Sequence, residues 1–120
     1  MNINVMLIDD DEECLESLET ALRLNGFNVR AFLSPGEAIR EYNPQTIDVV
    51  VSDYHLPRMK GTTLLKEIHQ KKADAPVIIF TGDPEKNLET FALQAGANAF
   101  LRKPFDIKEI IAIIKKLSRG

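Results

Sequence analysis

Four short apolar runs in this chain each end on a polar side chain that carries a carboxylate, a hydroxyl or an ammonium group. These side chains are Asp9 and Asp10 after the first run, Asp53 after the second, Thr81 after the third and Lys103 after the fourth. The runs at residues 5–8, 49–51 and 77–80 are continuous rather than alternating, which is typical of parallel strands covered on both faces. Because the carboxyl ends of neighbouring parallel strands meet at one sheet edge, we expect the polar side chains to converge there.

Amphipathic segments separate the apolar runs, and weaker apolar segments at residues 29–32 and 97–101 suit edge strands. In the last amphipathic segment the apolar residues recur at spacings of three and four, as on one face of a helix. Those residues are Ile107, Ile110, Ile111, Ile114 and Leu117. The alternation predicts a single α/β domain with five parallel strands. Because crossovers are almost always right-handed, the sheet should be doubly wound, with helices on both faces.

Capping residues predict where three helices begin. Ser34 is followed directly by Pro35 and three positions later by Glu37, and Asp106 is followed three positions later by Glu109. Both are typical of a capping box at a helix start. Asp83, which is also followed by proline, predicts a third start.

Length, charge and cysteine content narrow the class of protein. The 120 residues fit one domain with a sizeable core, and a net charge of -3 gives no electrostatic basis for nucleic-acid binding. The chain starts without the features of a signal peptide and has no apolar run of membrane-spanning length, so we expect a cytoplasmic protein without membrane contact. The single cysteine, Cys14, cannot form an internal disulfide and is expected to fill the core.

Two strand ends supply a cluster of acidic residues. Each acid taken alone could be a helix cap or a solvated loop residue. Together, Asp9, Asp10 and Asp53 would repel one another by about 4 kcal/mol per pair at a separation of about 4 Å and an effective dielectric near 20. A bound cation offsets such repulsion, and hard carboxylate oxygens in a partly open site favour Mg²⁺ or Mn²⁺. Pro57 and Gly61 are expected to shape the loop behind Asp53.

Thr81 and Lys103 add hydrogen-bond donors for an anion at the same edge. Singly, each could be a cap or a surface group. Phosphoryl transfer needs little beyond in-line positioning and neutralisation of the charge on the phosphoryl oxygens. A cation, an ammonium group and a hydroxyl group together provide that neutralisation.

Four motifs carry a resemblance that spans essentially the whole chain. They are Ile8-Asp9-Asp10-Asp11, the ten residues from Ser52 to Gly61, Phe80-Thr81-Gly82 and Lys103-Pro104-Phe105. In order and spacing they resemble the receiver domain of response regulators in two-component signalling. The resemblance implies a flavodoxin-like fold with strand order 2-1-3-4-5.

The resemblance also implies a role for each site residue. Asp53 would be the phosphoacceptor, taking a phosphoryl group from a histidine kinase, a phosphotransfer protein or a small phosphodonor. Asp10 and Asp53 would bind Mg²⁺ directly, Asp9 would act through a bound water, and the backbone carbonyl of His55 would complete the protein ligands. The domain would catalyse only its own phosphorylation and dephosphorylation, without turnover of an external substrate.

In this family a lysine and a threonine contact the new phosphoryl group, and these positions are Lys103 and Thr81. Movement of the threonine lets an aromatic residue three positions before the lysine turn inward, which here is Phe100. An ordinary core role for Phe100 is the alternative. The resemblance further implies a cis peptide bond between Lys103 and Pro104.

Three positions near the site vary in this family. Gly82 stands where alanine is more usual, and His55 and Asp83 occupy places that tune the lifetime of the acyl phosphate. Coordination of a metal by the His55 imidazole, rather than by its carbonyl, is a minor alternative.

Other functions fit parts of the sequence. In a dehalogenase-like aspartyl phosphatase Asp9 would be the nucleophile, but Glu13 stands where a threonine is expected. A flavin-binding electron carrier shares the fold class, although the acidic first turn would repel a flavin phosphate. A degenerate receiver that only binds partners is disfavoured because every expected site residue is present.

The surface that would carry the output includes residues 83–95, the strand that contains Phe100 and the last helix. Residues 1–120 are expected to form one receiver domain, which either stands alone or is the N-terminal part of a longer regulator. A fused or separate output module would then respond to its phosphorylation.

Overall fold

The computed structural model of the chain describes residues 2–118. Its strands and helices alternate along the chain, apart from one small hairpin. The strands are β1 Asn4–Ile8, β2 Asn28–Phe32, β3 Val49–Asp53, β4 His55–Leu56, β5 Met59–Lys60, β6 Val77–Thr81 and β7 Ala99–Arg102. The helices are α1 Glu12–Leu24, α2 Pro35–Glu41, α3 Gly61–Lys71, α4 Leu88–Gln94 and α5 Ile107–Ser118.

Five of the strands form one sheet in the order β2-β1-β3-β6-β7, and all its neighbours pair in parallel. β4 and β5 form the separate hairpin. With the hairpin set aside, the order is the expected 2-1-3-4-5, so the predicted fold class is confirmed. The register places Asp53 beside Phe80 and Thr81 beside Arg102, which brings the polar strand ends to one edge.

Each face of the sheet has its own hydrophobic core, which explains why the central strands are continuously apolar. Along β1, Met6 and Ile8 point into a core with residues of α2, α3 and α4. Val5 and Leu7 point into a second core with residues of α1 and α5. Helices therefore cover both faces, as predicted.

Two of the three predicted helix starts are confirmed. The Ser34 side chain accepts a hydrogen bond from the Glu37 N–H at 3.3 Å, with proline at the start of α2, and α5 begins directly after Asp106.

The third start is wrong, because α4 begins at Leu88, five residues after Asp83. The Asp83 carboxylate accepts from the Glu85 N–H at 2.9 Å, and Arg102 occupies the Asp83 carbonyl at 2.7 Å. These contacts hold the segment in a turn instead of a helix.

Two further observations bear on the composition. Cys14 is partly buried rather than fully in the core. Among residues 2–118, no helix is both long and apolar enough to cross a membrane.

Candidate functional site

Three carboxylates meet at the carboxyl edge of the sheet. Asp9, Asp10 and Asp53 each offer a carboxylate oxygen, and these oxygens lie within 4.8 Å of one another. Asp9 follows β1 and is 1% exposed, Asp10 is exposed, and the side chain of Asp53, at the end of β3, is 13% exposed. The cluster is thus buried on one side and open on the other, as a site for a partly hydrated cation requires.

The ammonium group of Lys103 lies against this cluster. Its Nζ is 3.3 Å from Asp9 Oδ2 and 3.6 Å from Asp53 Oδ2, and it sits 4.8 Å from the centroid of the Phe80 ring. Burial lowers the pKa of Lys103, but the Asp9 and Asp53 carboxylates outweigh it and raise the pKa overall. The predicted cis bond between Lys103 and Pro104 is confirmed. Lys103 therefore offers a fixed positive charge to an anion at Asp53.

This environment raises the pKa of Asp53. Burial is the main cause, and repulsion from Asp9 adds to it, while the His55 N–H and Lys103 act in the opposite direction; the pKa rises to about 6. The His55 N–H donates to Asp53 Oδ1 at 3.1 Å. At neutral pH the carboxylate is still mostly ionised, and ionised carboxylates act as nucleophiles in enzymes that form acyl phosphates.

The third acid of the first motif has a structural role. Asp11 caps α1, accepting from the N–H groups of Glu13 at 3.0 Å and Cys14 at 3.2 Å. The hydrogen bond from Cys14 lowers the pKa of Asp11. Its own N–H donates to Asp9 Oδ1 at 3.0 Å, which helps to fix the buried acid. The acidic run therefore divides into two cluster residues and one cap.

Thr81 lies at the end of β6 and is 1% exposed. Its Oγ1 accepts a hydrogen bond from the Asp83 N–H at 3.1 Å. A hydroxyl that accepts still carries its own proton, which it can donate to an anion. Thr81 is thereby linked to the loop of residues 82–87 that follows it.

The His55 imidazole contacts Asp83 and is not part of the cluster formed by Asp9, Asp10 and Asp53. Its Nε2 lies 2.8 Å from Asp83 Oδ2, and the two side chains are 53% and 38% exposed. A hydrogen bond from the Glu85 N–H, followed by that from His55, lowers the pKa of Asp83. The contact joins the loops that follow β3 and β6.

Phe100 is partly buried on β7 and packs against the core beside α4. The guanidinium carbon of Arg102 lies 5.1 Å from the centroid of its ring. Sequence reasoning did not single out Arg102, although its place directly before Lys103 was a usable signal.

Gly61 at the start of α3 is required for space, beyond the turn role expected of it. A Cβ at this position would lie 2.5 Å from the Asp53 carbonyl oxygen and 3.0 Å from Tyr54 Cα. The Gly61 N–H also donates to the Tyr54 carbonyl at 2.6 Å. The backbone behind Asp53 is therefore packed directly against the helix.

Gly61→Ala is expected to lower the free energy of unfolding by about 2 kcal/mol, because overpacking forces backbone shifts. Gly82→Ala is the matched control, since its Cβ would meet only Lys103 side-chain carbons at 3.9 and 4.0 Å. It should change stability by less than about 0.5 kcal/mol. Urea unfolding of both variants checks the difference, and equal midpoints would contradict the close contact at Gly61.

Comparison with known proteins identifies the family. The model of the response regulator receiver domain matches residues 5–115. The chain belongs to the response regulator receiver domain family. Receiver domains are parts of signalling proteins, so the family match does not favour the aspartyl phosphatase alternative.

Curated relatives contain the receiver domain as one part of a longer protein. The chain is 37% identical over 113 residues to the DNA-binding transcriptional regulator NtrC of Proteus hauseri, covering 94% of this chain and 24% of that protein. It is 33% identical over 115 residues to the transcriptional regulatory protein PrrA of Mycobacterium tuberculosis, covering 96% of this chain and 49% of that protein. The chain thus spans half or less of the length of these relatives.

Two solved structures share the fold over nearly their whole length. A response regulator receiver domain protein from Clostridium thermocellum has a TM-score of 0.93 and 28% identity, covering 98% of this chain and 94% of its own. The FixJ-N structure has a TM-score of 0.88 and 33% identity, covering 100% and 96%.

Proposed function

We propose that this receiver domain is a phosphoacceptor in a two-component or phosphorelay system, with Asp53 as the residue that is phosphorylated. The observation that carries the proposal is the position of the Asp53 carboxylate, 3.6 Å from the Lys103 ammonium and within 4.8 Å of two further carboxylates. A nucleophile, a cation site and a fixed positive charge are thus combined in one partly open site. The phosphoryl donor is a histidine kinase or a phosphotransfer protein.

The acidic cluster suits a divalent cation. Its donors are hard carboxylate oxygens and one side is open, which fits Mg²⁺ or Mn²⁺. Asp10 and Asp53 would bind the ion directly, Asp9 through a water molecule, and the His55 carbonyl would complete the protein ligands. When bound, the cation neutralises negative charge on phosphoryl oxygens.

The transfer step is a displacement at phosphorus. An oxygen of the ionised Asp53 carboxylate forms the new O–P bond while the P–N bond to the donor imidazole breaks, and its electron pair returns to the ring nitrogen. Lys103 stabilises the charge on the equatorial oxygens, and the Thr81 hydroxyl donates to one of them. Hydrolysis of the acyl phosphate by water reverses the signal, so no external substrate is turned over.

Phosphorylation of Asp53 would change the output surface through Thr81 and Phe100. When the threonine moves toward the phosphoryl group, the Phe100 ring turns inward and the surface formed by α4, β7 and α5 changes. Residues 1–120 would form one receiver domain in the cytoplasm, alone or as the N-terminal part of a longer regulator, as the greater length of NtrC and PrrA suggests. A fused or separate output module would read this surface.

Incubation with phosphoramidate and Mg²⁺ is expected to add one phosphoryl group, which intact-mass spectrometry detects. Because phosphoramidate can also modify histidine, the modified peptide must be identified, and it should contain Asp53. Borohydride trapping of the acyl phosphate locates the modified carboxylate.

The same incubation with EDTA in place of Mg²⁺ serves as the control and should give little product. No added mass with phosphoramidate or acetyl phosphate would refute the proposed function. Modification of Asp9 instead of Asp53 would refute the assignment of the phosphoacceptor.

A further inference from the structure

Arg102 makes three contacts that join two parts of the molecule. Its Nη1 donates to the Asp83 carbonyl at 2.7 Å, and its Nη2 donates to the Glu85 carbonyl at 2.9 Å. The guanidinium carbon lies 5.1 Å from the centroid of the Phe100 ring, within the range of a cation–π contact. One planar group thus binds the loop of residues 82–87 and covers an aromatic ring of β7.

The two carbonyls that Arg102 holds are those that a longer α4 would use. In a helix capped by Asp83, the Asp83 carbonyl would accept the first intrahelical bond, from the Asn87 N–H. Here the Asn87 N–H donates instead to Glu85 Oε2 at 3.0 Å, and Arg102 occupies the carbonyl. Arg102 therefore stabilises these two carbonyls in the loop conformation that precedes α4.

The loop is also connected to Thr81. The Asp83 N–H donates to Thr81 Oγ1, and the carbonyl of the same residue accepts from Arg102. A displacement of the threonine hydroxyl therefore acts on the backbone N–H of Asp83, the residue whose carbonyl the guanidinium binds. The hydrogen-bonded path from Thr81 to Arg102 is continuous, and Arg102 in turn lies over Phe100.

We propose that Arg102 is a positioning residue that couples the Thr81 hydroxyl to the Phe100 ring through residues 82–87. The proposal rests on the function proposed above, in which a phosphoryl group on Asp53 attracts Thr81. The hydrogen bond from the Asp83 N–H then either moves with the hydroxyl or breaks. In both cases the Asp83 and Glu85 carbonyls shift, and the guanidinium of Arg102 moves relative to the Phe100 ring. Two readouts follow, one of which needs no phosphorylation.

The first readout is the set of Cα chemical shifts of residues 84–87, measured without a phosphoryl donor. In Arg102→Gln the Cα chemical shifts of residues 84–87 should move toward helical values, since the loop loses the two hydrogen bonds that stabilise it and the capping signal at Asp83 remains. Arg30→Gln is the matched control. Arg30 lies on β2, the opposite edge strand, with its guanidinium carbon 5.4 Å from the Phe32 ring centroid and an ion pair to Glu41 at 3.0 Å.

The second readout is the Phe100 ring after phosphorylation. The chain has six phenylalanines, so ring labelling of phenylalanine gives few enough signals to follow Phe100. With phosphoramidate and Mg²⁺, the change in its ring shifts seen in the wild type should be largely lost in Arg102→Gln. Arg30→Gln should keep the full change, and Arg102→Lys, which cannot bridge both carbonyls, should recover only part of it.

The outcomes separate the inference from the proposed function, because intact mass reports phosphorylation in the same samples. If Arg102→Gln is phosphorylated and its Phe100 ring responds as in the wild type, the coupling role is wrong. A lower melting temperature with a full ring response would reduce Arg102 to a structural residue. If neither the wild type nor any variant gains phosphate, the proposed function fails. Unchanged Cα shifts of residues 84–87 in Arg102→Gln would separately show that Arg102 does not determine the loop conformation.

Discussion

Lys103→Met is expected to destabilise the metal-free protein by about 3 kcal/mol, because it leaves the Asp9 carboxylate buried without its ion partner. Asp9 is 1% exposed, and Lys103 Nζ lies 3.3 Å from its Oδ2. Methionine keeps most of the apolar part of the lysine side chain, so the loss of stability measures mainly the removal of the charge. The same variant should take up phosphate from phosphoramidate about 100-fold more slowly, the usual effect of removing one preorganised donor from a transition state.

Urea unfolding in EDTA and mass spectrometry over a time course measure these two effects. Lys108→Met is the matched control, since Lys108 is exposed on α5 and should change neither quantity. The double variant Lys103→Met/Asp9→Asn should recover most of the lost stability, because removing both charges of a buried pair is close to neutral. An unchanged unfolding midpoint in Lys103→Met would show that the ion pair does not hold Asp9 in place.

The fold could be predicted from the sequence because its strongest signals are local and agree with one another. The apolar runs of β1, β3 and β6 require burial on both faces, and the structure supplies a separate core on each. The strand order is a different matter, since periodicity does not encode which strands are neighbours. It followed only from the resemblance to receiver domains.

The convergence of Asp9, Asp53 and Lys103 could also be predicted, because each stands at the carboxyl end of a strand and the alternation of strands and helices predicts a parallel sheet. The start of α4 could not. The local signal at Asp83 is a valid cap, but Arg102, 19 residues away in sequence, takes its carbonyl. Tertiary hydrogen bonds from Arg102 thus stabilise a loop where the local signal predicts a helix, and no pattern within the loop reveals them.

The steric restriction at Gly61 could not be predicted from the sequence, because it too arises from a contact between different segments of the chain. The sequence predicts that Gly61 shapes the loop behind Asp53, whereas the structure shows that the restriction comes from the Asp53 carbonyl oxygen, which lies 2.5 Å from the point that a Cβ would occupy. Contacts between segments of this kind depend on the assembled fold.

Asp53→Asn is expected to stabilise the metal-free protein near neutral pH and to remove a pH dependence of its stability. The folded-state pKa of Asp53 is about 6, against 3.8 for an unperturbed aspartate, mainly because of burial and then repulsion from Asp9. Between these values the unfolded chain has lost the Asp53 proton while the folded protein keeps it. Folding therefore takes up a proton, and stability falls as the pH rises through this window.

The size of the effect follows from the shift. Discounted for solvent screening at the open side of the cluster, the wild type should lose about 2 kcal/mol between about pH 4 and about pH 6 through this residue. Asparagine does not titrate, so the variant should lack this part of the fall and be more stable than the wild type at about pH 7. Urea unfolding in EDTA across this range measures both curves.

Asp11→Asn is the control, because a hydrogen bond from Cys14 lowers the pKa of Asp11 and its titration lies below the window. Asparagine also caps helices well, so this variant should keep the fall in stability between about pH 4 and about pH 6. Saturating Mg²⁺ should narrow the gap between wild type and Asp53→Asn, since a cation that binds the ionised carboxylate stabilises only the folded wild-type site. If Asp53→Asn instead follows the wild-type curve at every pH in EDTA, the raised pKa of Asp53 is wrong, and with it the electrostatic strain that the cation is proposed to relieve.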